Sequence, residues 1–466
     1  MKIYFELEKL IDERQFGILY NGITSVEPAD IASMIEKLPA EKAVLLFRIL
    51  PKDMEAEVFA NLDPDTQKSL VEQFSDKEIF AVIEDLFLDD AVDFIEEMPA
   101  TVANKVLAHA TEETREKINQ LLKYPDDSAG TIMTVEYVHL KRSMTVLQAF
   151  DKIRKVGPDK ETIYTCYVTD SERRIEGVVS VKTLLLSAQD QILNDIMDTN
   201  LILAHTDDDQ EEVARLFEKY DLLSIPVVDS ENRIVGIITI DDIVDVVQEE
   251  ATEDMQKMAA IHPLDKPYLK MSVPRLGMKR ITWLVVLMLT AMVTGGIIEG
   301  FEHAIGALPL LAVFIPLLMD TGGNSGSQSA TMVIRGMALG EIRPPDFFKI
   351  IWKEMRTGLL VGAILSAINF LRIWITYWAL PTFFTSGTPE FGTDVYRIGA
   401  VVSFTLLFTV VIANIIGGIL PIVAKKLKID PAVMAAPLIT SIVDALALIV
   451  YFSLAMWMLG DLLAVT

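Results

Sequence analysis

The spacing of apolar residues changes twice along this chain of 466 residues. Residues 25–123 carry apolar positions at helical period in short stretches, broken by Pro and Asp, which predicts a string of short helices. Residues 125–247 alternate β-branched runs with helical stretches, which predicts strand, turn, strand and helix units. Beyond residue 270 the apolar runs become long enough for a bilayer core of about 30 Å. Five spans are expected, at Ile281 to Gly300, Gly306 to Ile334, Ile351 to Ala379, Ile398 to Ala424 and Val433 to Leu459. The fold class is mainly α. A helical N-domain (1–124), an α/β domain (125–247), a connecting helix (248–270) and a five-helix transmembrane domain (271–466) follow one another.

Two internal repeats sharpen this picture. DIASMIEKLPA from Asp30 returns as DAVDFIEEMPA from Asp90, sixty residues on. Such self-similarity points to stacked helical hairpins, an α-solenoid. VTDSERRIEGVVSVKTLL from Val168 returns as VVDSENRIVGIITIDDIV from Val227, fifty-nine residues on. Each copy reads as strand, tight polar turn, strand and helix.

Charge divides the chain at the same place as hydropathy. Residues 1–270 hold 55 Asp and Glu against 28 Lys and Arg, a net of −27, and residues 271–466 hold 11 against 13, a net of +2. An acidic assembly of this kind excludes nucleic acid, whose phosphates need a basic face, and suits cations. One cysteine, Cys166, rules out a disulfide framework and fits a reducing compartment. The amphipathic start MKIYFELEKLIDER does not read as a signal peptide. Bases cluster in alternate loops, at Lys279 and Arg280, at Arg335, Arg343 and Lys349, and at Lys425, Lys426 and Lys428. The positive-inside rule then puts the N-terminal domains in the cytosol of a plasma membrane protein and the C-terminus outside.

Ionisable groups inside spans are expensive and default to function. Asp444, in PLITSIVDALALIVYF, has no base near it in the spans, and Thr440 lies one turn below. Pro437 is expected to free the carbonyl of Val433. An acid, a hydroxyl and a free carbonyl suit a hydrated cation, while an interhelical hydrogen bond is the structural alternative. Asp320, Asn324 and Gln328, spaced by four in PLLMDTGGNSGSQSATMVIRG, share one helix face, for ion contact or helix packing. Asn414, Gly417 and Gly418 read as packing residues. In the soluble part, Glu78 to Glu97 holds eight acids and no base, Asp89, Asp90 and Asp93 among them. Asp241, Asp245, Glu249 and Glu253 then fall every four residues, flanked by Asp242, Glu250 and Asp254. That self-repelling stripe calls for a neutralising cation.

The second repeat resembles a tandem pair of CBS modules. In that family a Thr-x-x-Asp after the second strand can hold ATP or another adenine nucleotide. Thr239 and Asp242 match it, and the first copy has Ser180 and Thr183 instead. Thr239 would equally serve as an ordinary helix N-cap. The whole order, with EEATEDMQKMA, GGNSGSQS and PLITSIVDALALIVYF, resembles the MgtE-type magnesium transporters. That resemblance implies a homodimer with a pore between subunits, its key acid at Asp444. It implies Mg²⁺ as the ion passed inward, and gating by Mg²⁺ on Asp89, Asp90, Asp93 and the Asp241 to Asp254 stripe. Ala447 departs from a Gly often found there. Another divalent cation such as Co²⁺, a CBS-regulated anion channel and a membrane-anchored nucleotide sensor are the rivals. An enzyme is not expected, because no nucleophile, base and orienting group occur together.

Overall fold

The computed structural model describes residues 8–264, 266–376, 394–434 and 436–463. The expected end of the third span at Ala379, most of the loop Pro381 to Arg397 and the start and end of the chain lie outside them. The chain divides into two compact units, Met1–Gln248 and Glu249–Thr466.

After a helical stretch at residues 8–12, the first unit runs through short helices: α1 (Phe16–Ile23), α2 (Pro28–Ile35), α3 (Ala40–Phe47), α4 (Lys52–Ala60), α5 (Pro64–Gln73), α6 (Asp76–Asp85), α7 (Leu88–Glu97), α8 (Ala100–His109) and α9 (Glu112–Leu121). Their starts follow from the sequence. Asp63 accepts from Asp65 N and Thr66 N at 3.1 Å ahead of Pro64, and Ser75 with Glu78 closes a capping box before α6. Each helix buries one stripe, as α7 does with Leu88, Ala91, Val92, Phe94 and Ile95. The two copies of the first repeat fall on α2 and α7.

The α/β part contains two like modules. Strands β1 (His139–Lys141), β2 (Thr165–Thr169) and β3 (Ile175–Ser180) form one sheet in that order, with α10 (Val146–Val156) and α11 (Val181–Leu186). Strands β4 (Ala204–His205), β5 (Ser224–Val228) and β6 (Ile234–Thr239) form the other, with α12 (Gln210–Tyr220). The first pair in each sheet is parallel and the second antiparallel. The repeat extends to register: Val168 faces Gly177 as Val227 faces Gly236. Both glycines are required by close approach. A Cβ on Gly177 would lie 2.8 Å from Met197 Sδ, and one on Gly236 2.7 Å from Met133 Sδ. Tyr167 Oη meets Ser224 Oγ at 2.8 Å and joins the modules. Cys166 is buried in β2, and burial pushes its thiol up to about 12, so it is inert.

Helix α13 (Ile240–Met258) follows β6 directly. Of the segment expected as a connecting helix over 248–270, the part up to Met258 is α-helical and Tyr268–Lys270 forms a 3-10 turn. Ala260 adopts a left-handed φ of 55°, and Pro263 and Pro267 follow, which prevents continuation.

The second unit contains α14 (Val273–Gly300), α15 (Glu302–Ala307), α16 (Leu310–Ala338), α17 (Phe347–Trp374), α18 (Asp394–Lys426), α19 (Ala436–Met458) and the short α20 (Gly460–Leu463). Among the described residues, four helices are long and apolar enough to cross a membrane: Val273–Gly300, Pro344–Trp374, Tyr396–Lys426 and Pro431–Met458. The fifth expected span, α16, has 29 residues, and its polar second half lowers its hydropathy. Small residues set the packing around α16. A Cβ on Gly417 of α18 would lie 2.1 Å from the carbonyl oxygen of Gly326, and one on Gly323 2.7 Å from Thr440 Cγ2 in α19. The backbones thus touch, as small residues permit at helix contacts in lipid.

Gly417→Ala should therefore separate α16 from α18 and cost about 1–3 kcal/mol. Thermal melting of the detergent-solubilised protein should fall, whereas Gly277→Ala, whose Cβ would meet nothing within 4 Å, should leave it unchanged or raised. Equal melting of the Gly417 variant and the parent would contradict the packing described.

Candidate ion pathway and acidic surface

The start of α19 is set by Asp430, whose Oδ1 accepts from Ala432 N at 2.8 Å and caps the turn Pro431–Met434. The described helix runs from Ala436 with Pro437 as its second residue, and Pro437 has no N–H to offer the carbonyl of Val433. Thr440 and Ser441 donate to the carbonyls of Ala436 and Pro437 at 2.8 and 3.1 Å. Their donors are used, and their oxygens keep lone pairs for other contacts. Asp444 is then two turns in, about 12 Å along the axis.

Asp444 is half-buried, and its Oδ1 is buried with no hydrogen-bond partner. The charge within its electrostatic reach is another acid, Asp320 of α16. Asp320 accepts from Asn324 Nδ2 at 3.2 Å. Asp444, Asp320, Asn324 and Thr440 thus stand on the two helices that Gly323 brings together, and Gln328 continues the face of α16. Asn414 belongs to packing, since its amide meets Ser325 Oγ at 2.5 Å and its carbonyl accepts from Ser329 at 2.9 Å. An acid at membrane depth with a free oxygen and an acidic neighbour attracts cations and repels anions.

The end of α13 lies on these same helices. Met258 packs against Ala330, Ile334, Ala413, Ile439 and Val443 from α16, α18 and α19. Glu253 is bound to Lys257 at 2.8 Å. Glu249, Glu250 and Asp254 occupy the same helix.

In the first unit, the eight acids between Glu78 and Glu97 sort into two kinds. Some are structural. Glu78 pairs with Arg48 at 2.6 Å, and that hydrogen bond holds its carboxyl down at about 2. Glu84 accepts from Thr111 N at 2.9 Å. The others face acids. Asp89, Asp90 and Asp93 of α7 interact with Asp242 of α13, and Asp241 and Asp245 add to the group. Glu161, in the loop before β2, joins them. The sequence reading missed it: it sits in no periodic pattern, and only the folded module carries it there. Lost hydration first, and neighbouring carboxylates second, raise Asp89, Asp90, Asp93, Glu161 and Asp242. Asp90 and Asp242 are pushed up to about 6, Asp93 and Glu161 to about 7, and Asp89 well above the usual carboxylate range. Among the described residues, no three acidic, His or Cys side chains converge closely enough to enclose one ion. The surface suits ions that keep their water, as Mg²⁺ does.

Thr239 Oγ1 donates to Asp242 Oδ2 at 2.7 Å. In the first copy Ser180 Oγ accepts from Thr183 N at 3.0 Å as a helix cap. The Thr239 and Asp242 pair is therefore present, but it stands among carboxylates, where phosphate groups would need accompanying cations.

Comparison with known proteins identifies the family. The family model described as a divalent cation transporter matches residues 315–454, that of the MgtE intracellular N domain matches 26–127, and that of the CBS domain matches 129–189 and 193–249. The magnesium transporter MgtE of Thermus thermophilus is 35% identical over 458 residues, covering 97% of this chain and 98% of its own length. That of Bacillus subtilis is 32% identical over 437 residues, covering 93% and 92%. Among solved structures, the cytosolic domain of the Mg²⁺ channel MgtE in complex with ATP shares 33% identity at a TM-score of 0.50, over 52% of this chain and 99% of that one. The soluble part of a magnesium transporter shares 28% at a TM-score of 0.51, over 53% and 98%.

The raised carboxyls give a signed prediction. Between about pH 4 and pH 7 the folded first unit holds more protons on these groups than the unfolded chain, so its stability falls as pH rises through that window. Without divalent cations, the melting temperature of the Met1–Gln248 unit should drop by roughly 5–10 °C from pH 5 to pH 7.5. Millimolar Mg²⁺ should remove most of the drop, and Na⁺ at equal ionic strength should not. A melting temperature that is flat or rising over this range without Mg²⁺ would refute the cluster's role.

Proposed function

The chain belongs to the MgtE family of magnesium transporters, and from that premise we propose how its residues pass and regulate the ion. It is a multi-pass membrane protein with a cytosolic N-terminal domain, and a transporter rather than an enzyme. In this proposal Mg²⁺ enters the cytosol through a path lined by Asp444, with Asp320, Asn324 and Thr440 beside it. The unpaired Oδ1 of Asp444 at membrane depth is the observation that carries the reading. Mg²⁺ gives up water reluctantly and binds through few carboxylates. One or two acids per subunit draw the hydrated ion in without trapping it. The membrane potential supplies the drive, at about 4.6 kcal/mol for a dication per 100 mV.

The path is taken to lie between two copies of the chain, so that two Asp444 groups flank it. Exposed apolar side chains on the first module, Leu147, Leu185 and Leu186, support a dimer. The C-terminus is placed outside by the charge bias of the loops. Residues 1–124 and 125–247 act as the sensor, 248–270 as the connection and 271–466 as the pore.

Regulation follows from repulsion. At low cytosolic Mg²⁺ the carboxylates of α7 and α13 repel and the sensor loosens. At high Mg²⁺, hydrated ions between Asp89, Asp90, Asp93, Glu161, Asp241, Asp242 and Asp245 draw the elements together. Ions on Glu249, Glu250 and Asp254 add to this along α13, where Glu253 already has Lys257 beside it, and its Met258 end closes the path. ATP or another adenine nucleotide at Thr239 and Asp242 would report on the same cluster, its phosphates arriving with Mg²⁺.

Asp444→Ala tests the pore assignment. Mg²⁺ uptake into proteoliposomes should fall by roughly tenfold or more, while the protein still inserts and melts as the parent does. Uptake equal to that of the parent would remove Asp444 from the path.

A further inference from the structure

Lys257 is the second-last residue of α13, and its ammonium meets two carboxylates. Nζ lies 2.8 Å from Glu253 on its own helix and 2.7 Å from Asp430 Oδ2, at the entrance to α19. The other oxygen of Asp430 caps Ala432 N at 2.8 Å. One carboxylate therefore fixes both the turn that starts the Asp444 helix and the end of α13. Burial works against the charge of Lys257, but the two carboxylates outweigh it and hold its pKa above the ordinary lysine range.

The next residue, Met258, is the one packed against Ile439 and Val443. The chain beyond it is fastened as well. Gln256 Oε1 accepts from Leu264 N at 2.7 Å, and Lys279 Nζ of α14 donates to Pro263 O at 2.6 Å. The end of α13 is thus anchored on the membrane helices by the protein's own groups. The contrast with the first unit is one of charge. There acids face acids, and the arrangement needs ions from outside. Here an acid on each side is already bridged by an ammonium.

We propose that Lys257 is a positioning residue of the gate, a tethered cation that seats Met258 on the pore helices without a bound metal ion. This rests on the reading that the Met258 end of α13 closes the path. It assigns the seat to a fixed charge and leaves the dependence on Mg²⁺ to the acids nearer the sensor. The seat then biases the gate toward closure, so that less Mg²⁺ is needed for block. Without the ammonium, Glu253 and Asp430 confront each other unbridged and the closed state loses that bias.

Patch recording of the full-length protein with varied internal Mg²⁺ tests this. Lys257→Gln should raise the Mg²⁺ needed for half-block by roughly threefold to tenfold, as expected for loss of a partly buried charged contact. Lys257→Arg should stay near the parent. Lys257→Met, which keeps the length and packing of the stem and removes only the charge, should shift the curve as far as Lys257→Gln does, a result that a purely packing role would not give. A half-block for Lys257→Gln that is unchanged or lowered, or a Lys257→Met curve that stays with the parent, overturns the proposal. Should Lys257→Gln fail to accumulate, Asp430→Asn reads the same contact, and an unchanged curve there overturns it equally. Failure of the pore assignment looks different, since Asp444 variants that still conducted would leave the block curves of the Lys257 variants readable.

Discussion

Carboxylates that face each other across packed elements repel unless a cation stands between them, and both units of this protein are organised by that constraint. The acid run on α6 and α7 shows it within one segment. Glu78 meets Arg48 and is held at about 2, whereas Asp93, on the next helix, faces acids and is pushed up to about 7. Composition is the same in the two cases, and the partner decides. A paired acid stabilises a helix start. An unpaired group of acids stores repulsion that an ion from solution can relieve. The first becomes scaffold, and the second is the group proposed as sensor.

In the membrane unit, the same constraint acts through distance. Asp444 and Asp320 can influence one another only because α16 and α19 approach closely, and that approach depends on glycine. Gly322 and Gly323 leave no room for a side chain against Val443 and Thr440, and Gly326 leaves none against Ile439. The contact of Gly326 with Gly417 ties α18 to the same assembly. Mutual packing therefore fixes where the charges sit. Ser329 adds a polar tie, its one hydroxyl proton placed between Glu354 Oε2 at 2.8 Å and Asn414 O at 2.9 Å, so that α17, α16 and α18 are joined by hydrogen bonding as well as by shape.

Much of this was readable in the sequence, for definite reasons. Spans show themselves because lipid requires long apolar runs. The two module repeats show themselves because each copy must make the same hairpin, down to Gly177 and Gly236. Asp444 stands out because an acid in an apolar run has no cheap explanation. What escaped depends on contacts between distant residues. Glu161 lies in an irregular loop with no period to mark it. Asp430 lies 173 residues from Lys257, and nothing local to either predicts the meeting. The structural use of Glu78 and Glu84 was hidden in a run that looked uniform, because Arg48 and Thr111 come from other helices.

The proposed gate also has to meet a numerical requirement. Moving a two-state equilibrium from one part in a hundred to ninety-nine takes about 5.5 kcal/mol of differential binding. A single hydrated Mg²⁺ touching one or two carboxylates would not supply that. An ion that prefers the closed arrangement tenfold contributes about 1.4 kcal/mol, so about four such ions suffice. A surface with several acids and no enclosed metal site fits this better than one tight site would. Weak sites fill only in the range where cytosolic Mg²⁺ varies, and their joint action makes the response steep. Protons act on the same groups. At neutral pH Asp90 and Asp242, raised to about 6, are mostly ionised, whereas Asp93 and Glu161, raised to about 7, keep about half of their protons. Acidification would neutralise the repulsion without any metal and favour the same closed arrangement. The cluster therefore responds to loss of negative charge, and in the proposed gate Mg²⁺ competes with the remaining protons for it.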